Sequence, residues 1–280
     1  MPSFEWSSPG GRASERRVRP PAWLALACVV AALTASCGGG GGPRNVTVFA
    51  AASLTGAFGD AAHAFESTHS GVNVRFSFAG SPTLRTQLEQ GARADLLATA
   101  DEQNMQAALQ QGIVRDTGAT FAKNRLAIIR PNSNPGAVST PRDLARSGLR
   151  LVLAASEVPV GRYARESLAR MAADPSFPAG FSDRALANVV SEEPNVKAVL
   201  AAVQLGEADA GIVYATDLTP EIARDVTAID IPDAYNVVAR YPIAITTGAA
   251  EPELAQEYID FLLSDEGQAI LKHYGFIGVK

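Results

Sequence analysis

The chain is poor in cysteine and histidine, the side chains that most often bind transition metals or act as nucleophile and base. Its 280 residues include two cysteines and three histidines. No pair of these residues has the spacing of a zinc site. G-x-S-x-G, P-loop and G-x-G-x-x-G motifs are all missing. His63 lies off the apolar stripe of the first predicted helix, which favours a solvated side chain. The sequence therefore argues against a zinc enzyme, a P-loop nucleotide-binding enzyme and an enzyme that binds a dinucleotide cofactor.

Basic runs are missing beyond the N-terminal segment, and the net charge is −5. A basic surface or reading helix is what nucleic-acid binding requires, so nucleic acid is excluded as a partner. For the same reason, the sequence disfavours a role as the effector domain of a transcription regulator. The composition is 47% apolar and 19% charged, which is typical of a folded globular chain rather than a disordered one.

The N-terminal segment has the pattern of an export signal. A basic lead is followed by Pro21–Ser36, which is uncharged and mostly apolar, and then by Cys37 and a run of five glycines. Sixteen residues are marginal for a bilayer span, which takes ~20. We predict a signal peptide with a lipobox over residues 1–37, a lipidated Cys37 and a flexible leash over residues 38–44. Plain secretion without a lipid is the alternative.

Removal of this signal leaves a more acidic protein. Four arginines and two glutamates are lost from 24 basic and 29 acidic residues, so the net charge moves to about −7. Both tryptophans are also lost, and Cys37 is the one cysteine that remains, so an internal disulfide is excluded. An acidic protein that binds an anion needs a local site built from hydrogen-bond donors and helix dipoles.

Strand and helix patterns alternate after the leash. Val72–Phe78 alternates between apolar and polar side chains, as a strand does, and Ala210–Tyr214 is a short buried apolar run. The residues Val196, Val199, Leu200 and Val203 repeat at helical spacing. This alternation predicts an α/β protein of two lobes, each a mostly parallel sheet flanked by helices. Ligands of such sheets bind beyond the carboxyl ends of the strands.

Two turns of this kind contain serine. Ser53 lies between the first strand and the first helix, and Ser81 lies in Ala79-Gly80-Ser81-Pro82 before another helix. Each hydroxyl, with its backbone N–H, is a candidate donor to an anion. Each serine is equally compatible with a plain helix N-cap.

Three later turns offer other donors. Val160 and Val196 each stand at a helix start, where the backbone N–H lacks an intrahelical acceptor. Tyr214 ends an apolar strand, and a core tyrosine bonded to backbone is the alternative there. Arg162 stands in a first helical turn, where a cation opposes the helix dipole, and we expect it to face solvent. Approach of Arg162 to the anion, with an altered selectivity, is the alternative. Glu192 and Glu193 would repel an anion unless they point away from it.

Together these segments resemble the periplasmic molybdate-binding proteins of ABC importers. The resemblance runs from Asn45 to Phe276 and is most specific in AAASLTGAF, FAGSPTLRTQLEQ and GIVYATD. It implies a periplasmic-binding-protein fold with the ligand in the cleft between lobe I, residues 45–123 plus 241–280, and lobe II, residues 124–240. The oxyanion-binding residues that the resemblance implies are Ser53, Ser81, Val160, Val196 and Tyr214.

A site of donors suits molybdate or tungstate, which are tetrahedral and carry no proton near neutral pH. Selection against sulfate then depends mainly on the size of the cavity. The expected protein is monomeric, extracytoplasmic and not an enzyme, with no cofactor and no direct metal ligands. Its partners are the oxyanion, the permease and ATPase of an ABC importer, and the membrane through the lipid. A receptor for another oxyanion or small solute is the first alternative, and a serine hydrolase that uses Ser53 is the second.

Overall fold

The computed structural model describes residues 44–280. These residues form eight α-helices and ten strands, and the strands are arranged in two five-stranded sheets. The signal peptide, Cys37 and all but the last residue of the leash lie outside the described residues. The α/β class is confirmed, and each sheet is mixed rather than purely parallel.

The first sheet has the strand order β2-β1-β3-β10-β4. Strand β1 pairs in parallel with β2 and β3, while β10 runs antiparallel to both β3 and β4. Four of the five strands therefore point the same way. The bounds are β1 Arg44–Ala51, β2 Val72–Ala79, β3 Leu96–Ala98, β4 Ala119–Asn124 and β10 Ala239–Ile245.

The second sheet has the order β7-β6-β8-β5-β9. Strand β6 is parallel to β7 and β8, and β5 is the strand of opposite direction, antiparallel to β8 and β9. The two sheets thus repeat one plan, although no sequence repeat links them. The bounds are β5 Leu126–Pro131, β6 Leu151–Ala154, β7 Val189–Glu193, β8 Ala210–Tyr214 and β9 Val226–Asp230.

The helices cover the faces of these sheets. The apolar stripe of the first predicted helix is buried on α1, and so is the predicted stripe of α6. Phe58 and Phe65 of α1 pack on Tyr258 of α7 in edge-to-face contacts. The bounds are α1 Thr55–Thr68, α2 Ser81–Glu89, α3 Glu102–Gln110, α4 Pro159–Ala172, α5 Phe181–Ala187, α6 Val196–Gln204, α7 Pro252–Leu263 and α8 Asp265–His273.

The chain passes between the sheets twice. It leaves the first sheet after Asn124 at the end of β4, and it returns between Asp230 and Ala239. The predicted lobe boundaries, at 123/124 and 240/241, lie at or beside these connections, and the lobes as separate bodies stay a prediction. We call the elements around the first sheet lobe I and those around the second lobe II.

Candidate oxyanion site

All five residues predicted to bind an oxyanion line one small cavity between the sheets. The cavity measures about 20 Å³ for the centres of water-sized spheres. That is more than one water needs and far less than a sugar or peptide would occupy. Each predicted residue is reached from the carboxyl end of a strand, as parallel sheets require. The five are Ser53 after β1, Ser81 after β2, Val160 after β6, Val196 after β7 and Tyr214 at the end of β8.

Ser53 does not cap a helix. It lies in a 3₁₀ turn, Ala52–Leu54, that leads into α1, and no side chain caps either element. Its Oγ instead lies 3.0 Å from the hydroxyl of Tyr241. The side chain is buried, with 6% of the residue exposed. The alternative reading of Ser53 as a plain cap is therefore wrong.

Ser81 is also not a cap. Gly80 holds the N-cap position of α2 and Ser81 is the first helical residue. The Ser81 Oγ accepts a hydrogen bond of 3.1 Å from the backbone N–H of Ala100. Gly80 itself is required by close approach of lobe II, because a Cβ there would lie 2.3 Å from the carbonyl oxygen of Pro194.

Lobe II presents backbone N–H groups at two helix starts. Pro159 begins α4 and Val160 follows it, so the Val160 amide belongs to the first turn, where no intrahelical acceptor exists. Asn195 caps α6, with its side chain accepting from the backbone N–H of Ala198 at 3.1 Å, and Val196 is the first residue of that helix. Both helix dipoles point their positive ends at the cavity region.

Gly161 fixes the position of the α4 turn. A Cβ at this residue would lie 2.2 Å from the carbonyl oxygens of Ala154 and of Ala155. Only glycine lets the first turn of α4 pack so closely on the end of β6. The Val160 amide is therefore held in place by the absence of a side chain at the next residue.

Tyr214 is buried and its hydroxyl has no hydrogen-bond partner in the described part of the chain. An unpaired buried hydroxyl costs about 1–3 kcal/mol, so its place on a cavity wall calls for a polar ligand. The alternative of a core tyrosine bonded to backbone is wrong. Burial raises the pKa of Tyr214 well above the usual value of 10, so the hydroxyl keeps its proton and can donate it.

Arg162 does not simply face solvent, contrary to the prediction. Its guanidinium crosses from lobe II to lobe I and bonds Asp101 Oδ2 at 2.7 Å, and 32% of the side chain is exposed. Asp101 is fully buried and caps α3 through Asn104. Arg162 pairs with Asp101 because a buried carboxylate without a partner would strongly destabilise the fold.

The other charges near the cavity are also paired. Lys197, in the first turn of α6, lies 2.8 Å from the fully buried carboxylate of Asp217. Burial raises the pKa of Asp217, and Lys197 opposes that rise. Glu192 pairs with Arg165, and Glu193 accepts from the hydroxyl of Ser191 at 2.6 Å. Neither glutamate is among the residues that line the cavity.

Among the residues that the structure describes, no group of three or more His, Cys, Asp or Glu could hold a metal ion. The cavity wall as described contains no histidine, and His63 is exposed on α1 as expected. Ser53 therefore has no neighbouring base, which removes the geometric support for the hydrolase alternative.

The family model for bacterial extracellular solute-binding proteins matches residues 46–277. This chain is a bacterial extracellular solute-binding protein. The match spans both sheets and every residue of the cavity wall.

Curated relatives of this solute-binding protein cover most of it. The molybdate-binding protein ModA of Mycobacterium tuberculosis is 38% identical over 235 residues, which are 84% of this chain and 85% of the relative. ModA of Escherichia coli is 33% identical and covers 83% of this chain and 88% of its own. A putative ABC transporter substrate-binding lipoprotein of Bacillus subtilis is 27% identical and covers 83% and 86%.

Solved structures repeat the fold. The substrate-binding domain of a putative molybdenum ABC transporter from Clostridium difficile has a TM-score of 0.61 at 27% identity, over 85% of this chain and all of that one. The periplasmic molybdate-binding protein of Azotobacter vinelandii has a TM-score of 0.72 at 22% identity, over 84% of this chain and all of its own. The two-lobed binding-protein fold predicted from the sequence is confirmed.

Membership of a solute-binding family means that this protein is not an enzyme, as predicted. It also places the protein outside the cytoplasm. No helix among residues 44–280 is long and apolar enough to cross a membrane.

Three polar residues around the site of this solute-binding protein have no recognisable signal in the sequence. Asp101 reads as an ordinary cap for α3, and nothing in the sequence shows that Arg162 reaches it. Tyr241 and Asn124 lie on the strands next to the connections between lobes, with no motif of their own. The contact of the buried Tyr241 with Ser53 is visible only once β10 is placed between β3 and β4 in the sheet that contains β1.

Proposed function

We propose that this protein captures molybdate, and also tungstate, outside the cytoplasm and delivers it to the permease and ATPase of an ABC importer. The observation that carries the proposal is the meeting of two serine hydroxyls, two helix-start amides and an unpartnered tyrosine hydroxyl on one cavity wall. The names of the relatives from M. tuberculosis and E. coli support the choice of ligand.

Donors alone suit an oxyanion that has no proton. No carboxylate is present on the described wall, so no acceptor charge would face the ligand. A buried hydrogen-bond acceptor that faces a negatively charged ligand would cost roughly 2–7 kcal/mol. Hydrogen bonds from the hydroxyls and amides to a charged ligand are roughly twice as strong as neutral ones.

The positive potential comes from backbone dipoles rather than from side-chain cations. Each helix start contributes about half a positive charge, and α2, α4 and α6 all begin at the cavity. The nearby cations Arg162 and Lys197 are already neutralised by carboxylates. A dianion can therefore bind without a lysine or arginine contact, even though the protein is acidic.

The decisive test is calorimetric titration of residues 38–280 with molybdate, tungstate, sulfate and phosphate. Calorimetry is suitable because both tryptophans, Trp6 and Trp23, precede this range. We expect tight binding of molybdate and tungstate and no measurable heat from sulfate. Binding of another of these anions in preference would support the alternative of a different oxyanion receptor. No binding of any of the four would contradict the oxyanion site.

We further propose that the protein is anchored by a lipid on Cys37, after removal of residues 1–36, and that it acts as a monomer. The lipobox pattern supports the anchor, as does the lipoprotein name of the B. subtilis relative. Cys37→Ser in the full chain should move the protein from the membrane fraction to the soluble fraction. Continued lipid labelling of that variant would place the anchor on another residue.

A further inference from the structure

A series of buried hydrogen bonds leads from Ser53 to residues that do not line the cavity. The Ser53 Oγ lies 3.0 Å from the Tyr241 hydroxyl, which lies 3.4 Å from Asn124 Nδ2. The same Nδ2 is 2.8 Å from Thr216 Oγ1. Ser53, Asn124, Thr216 and Tyr241 are all buried. These hydrogen bonds connect the turn after β1 with β10, β4 and the residues after β8.

The backbone fixes the orientation of the Asn124 amide. The N–H of Arg125 donates to Asn124 Oδ1 at 2.9 Å, so the oxygen of the amide points to Arg125. The NH₂ group of Asn124 must then face Thr216 and Tyr241 and donate to both. The Tyr241 oxygen accepts one of these protons, and the contact between Tyr241 and Ser53 allows either hydroxyl to be the donor.

Tyr241 always has a proton to give. Burial raises its pKa far above the usual value for tyrosine. The hydroxyl of Tyr214 forms no hydrogen bond in the described part of the chain, although the two rings lie 5.8 Å apart. Ser53 is the neighbouring oxygen that can accept the Tyr241 proton, and a Ser53 that accepts it keeps its own proton for the cavity.

Ser81 is oriented in the same way by a different group. Its Oγ accepts from Ala100 N–H, which can only donate. With Ser53 as the acceptor, both serines use one lone pair inside the protein and keep their protons for a ligand. In Ser81 the orienting donor is backbone, whereas in Ser53 it is a side chain that can be removed.

We propose that Tyr241 is a positioning residue for ligand binding: it donates to Ser53 and thereby turns the Ser53 hydroxyl proton towards the bound oxyanion. Asn124 sets the direction of the Tyr241 hydroxyl. This inference rests on the proposed oxyanion function and adds a residue that does not itself line the cavity.

The test is a double-mutant cycle measured by titration with molybdate. Tyr241→Phe keeps the ring and its contacts with Phe121 and Phe276, so the fold should persist. We expect it to weaken binding roughly 3- to 10-fold. In the Ser53→Ala background the same change should alter affinity by less than about twofold, because Tyr241 acts through Ser53.

A second double-mutant cycle serves as the control and uses Ser81→Ala in place of Ser53→Ala. Tyr241→Phe in the Ser81→Ala background should keep its full 3- to 10-fold effect, roughly as in the wild type. Thr216→Val, which leaves the Tyr241–Ser53 bond intact, should change affinity by less than about twofold. Equal effects of Tyr241→Phe in all backgrounds would mean a structural role and overturn the inference, as would no effect in the wild type.

A second variant covers the case in which Tyr241→Phe does not fold. Asn124→Asp offers Tyr241 an acceptor in place of the donor, so the Tyr241 proton turns away from Ser53 and binding weakens. Its effect should shrink in the Ser53→Ala background, leaving the part due to the added charge. An undiminished effect there overturns the inference. Failure of the wild-type protein to bind any oxyanion would instead refute the proposed function, and with it the role of Tyr241 in binding.

Discussion

Lobe I lines the cavity with two serine hydroxyls, whereas lobe II lines it with two backbone amides and one tyrosine hydroxyl. Both lobes use the same place in the fold, the turn after a strand of a mostly parallel sheet. In lobe I the donor is a side chain oriented by a neighbour. In lobe II most of the donor set is main chain, and its position depends on helix capping and on a close glycine contact. The hydroxyl donors can be removed by mutation, whereas the two main-chain amides can only be displaced.

The largest effect should come from the side-chain half. Ser53→Ala and Ser81→Ala each remove a hydrogen bond to a charged ligand, which is about 1.5–3 kcal/mol. Each change should weaken molybdate binding roughly 10- to 150-fold by calorimetry. Ser67→Ala, at an exposed serine of α1, is the control and should leave affinity unchanged. Unchanged affinity in both cavity variants would remove lobe I from the site.

The tyrosine is the one side-chain donor of lobe II. Tyr214→Phe should cost about 1–3 kcal/mol of binding free energy and should not destabilise the free protein, because the hydroxyl has no partner there. Tyr258→Phe is the matched control, since its hydroxyl is also buried and unpartnered but lies away from the cavity. An affinity loss below ~0.3 kcal/mol for Tyr214→Phe would return Tyr214 to the core.

The main-chain half can be tested by moving it. Gly161→Ala places a Cβ against the carbonyl oxygens of Ala154 and Ala155. The start of α4 must shift, so we expect a loss of about 1–3 kcal/mol in stability together with weaker anion binding. Gly59→Ala, in an open position of α1, should instead stabilise the fold by up to ~1 kcal/mol. Denaturant unfolding and calorimetry measure the two effects, and normal binding by Gly161→Ala would free the Val160 amide from its assigned role.

The smallest effect should come from the ion pair between the lobes. Asp101→Asn keeps a good N-cap for α3 but removes the partner of Arg162. We expect molybdate binding to weaken by about 0.2–1 kcal/mol, because Arg162 is 32% exposed and water can solvate the freed guanidinium. The affinity loss should shrink as salt is raised, because salt screens the pair in the wild type. Asp233→Asn removes a charge from the Arg125 pair within lobe II and serves as control. A loss that is independent of salt would show that Asp101 acts through packing instead.

The sequence predicted the fold class and the long apolar elements well because their patterns are local. The stripes of α1 and α6 and the buried run of β8 follow directly from side-chain periodicity. Strand β7, at the edge of its sheet, was missed because Ser191, Glu192 and Glu193 are polar and largely solvated. The short helix α5 and strand β4 were missed too, since neither has an extended apolar repeat.

The site divides in the same way. Five donors were predicted together from the resemblance, and the structure places them on one wall. The sequence did not predict how the side chains around the site are oriented. Ser53 contacts Tyr241, 188 residues away, and Arg162 contacts Asp101, 61 residues away. Whether a hydroxyl caps a helix or faces a ligand is decided by such distant neighbours, which periodicity does not encode.

Gly80 has one more consequence. Its backbone meets the Pro194 carbonyl so closely that a single added carbon would lie within 2.3 Å of it, and Ser81, Val160 and Tyr214 behind this contact are 1% exposed. A solute bound beside these residues lies behind a contact between the lobes. Opening of this contact is then one step in its release, and a slow off-rate can arise without any stronger bond to the solute.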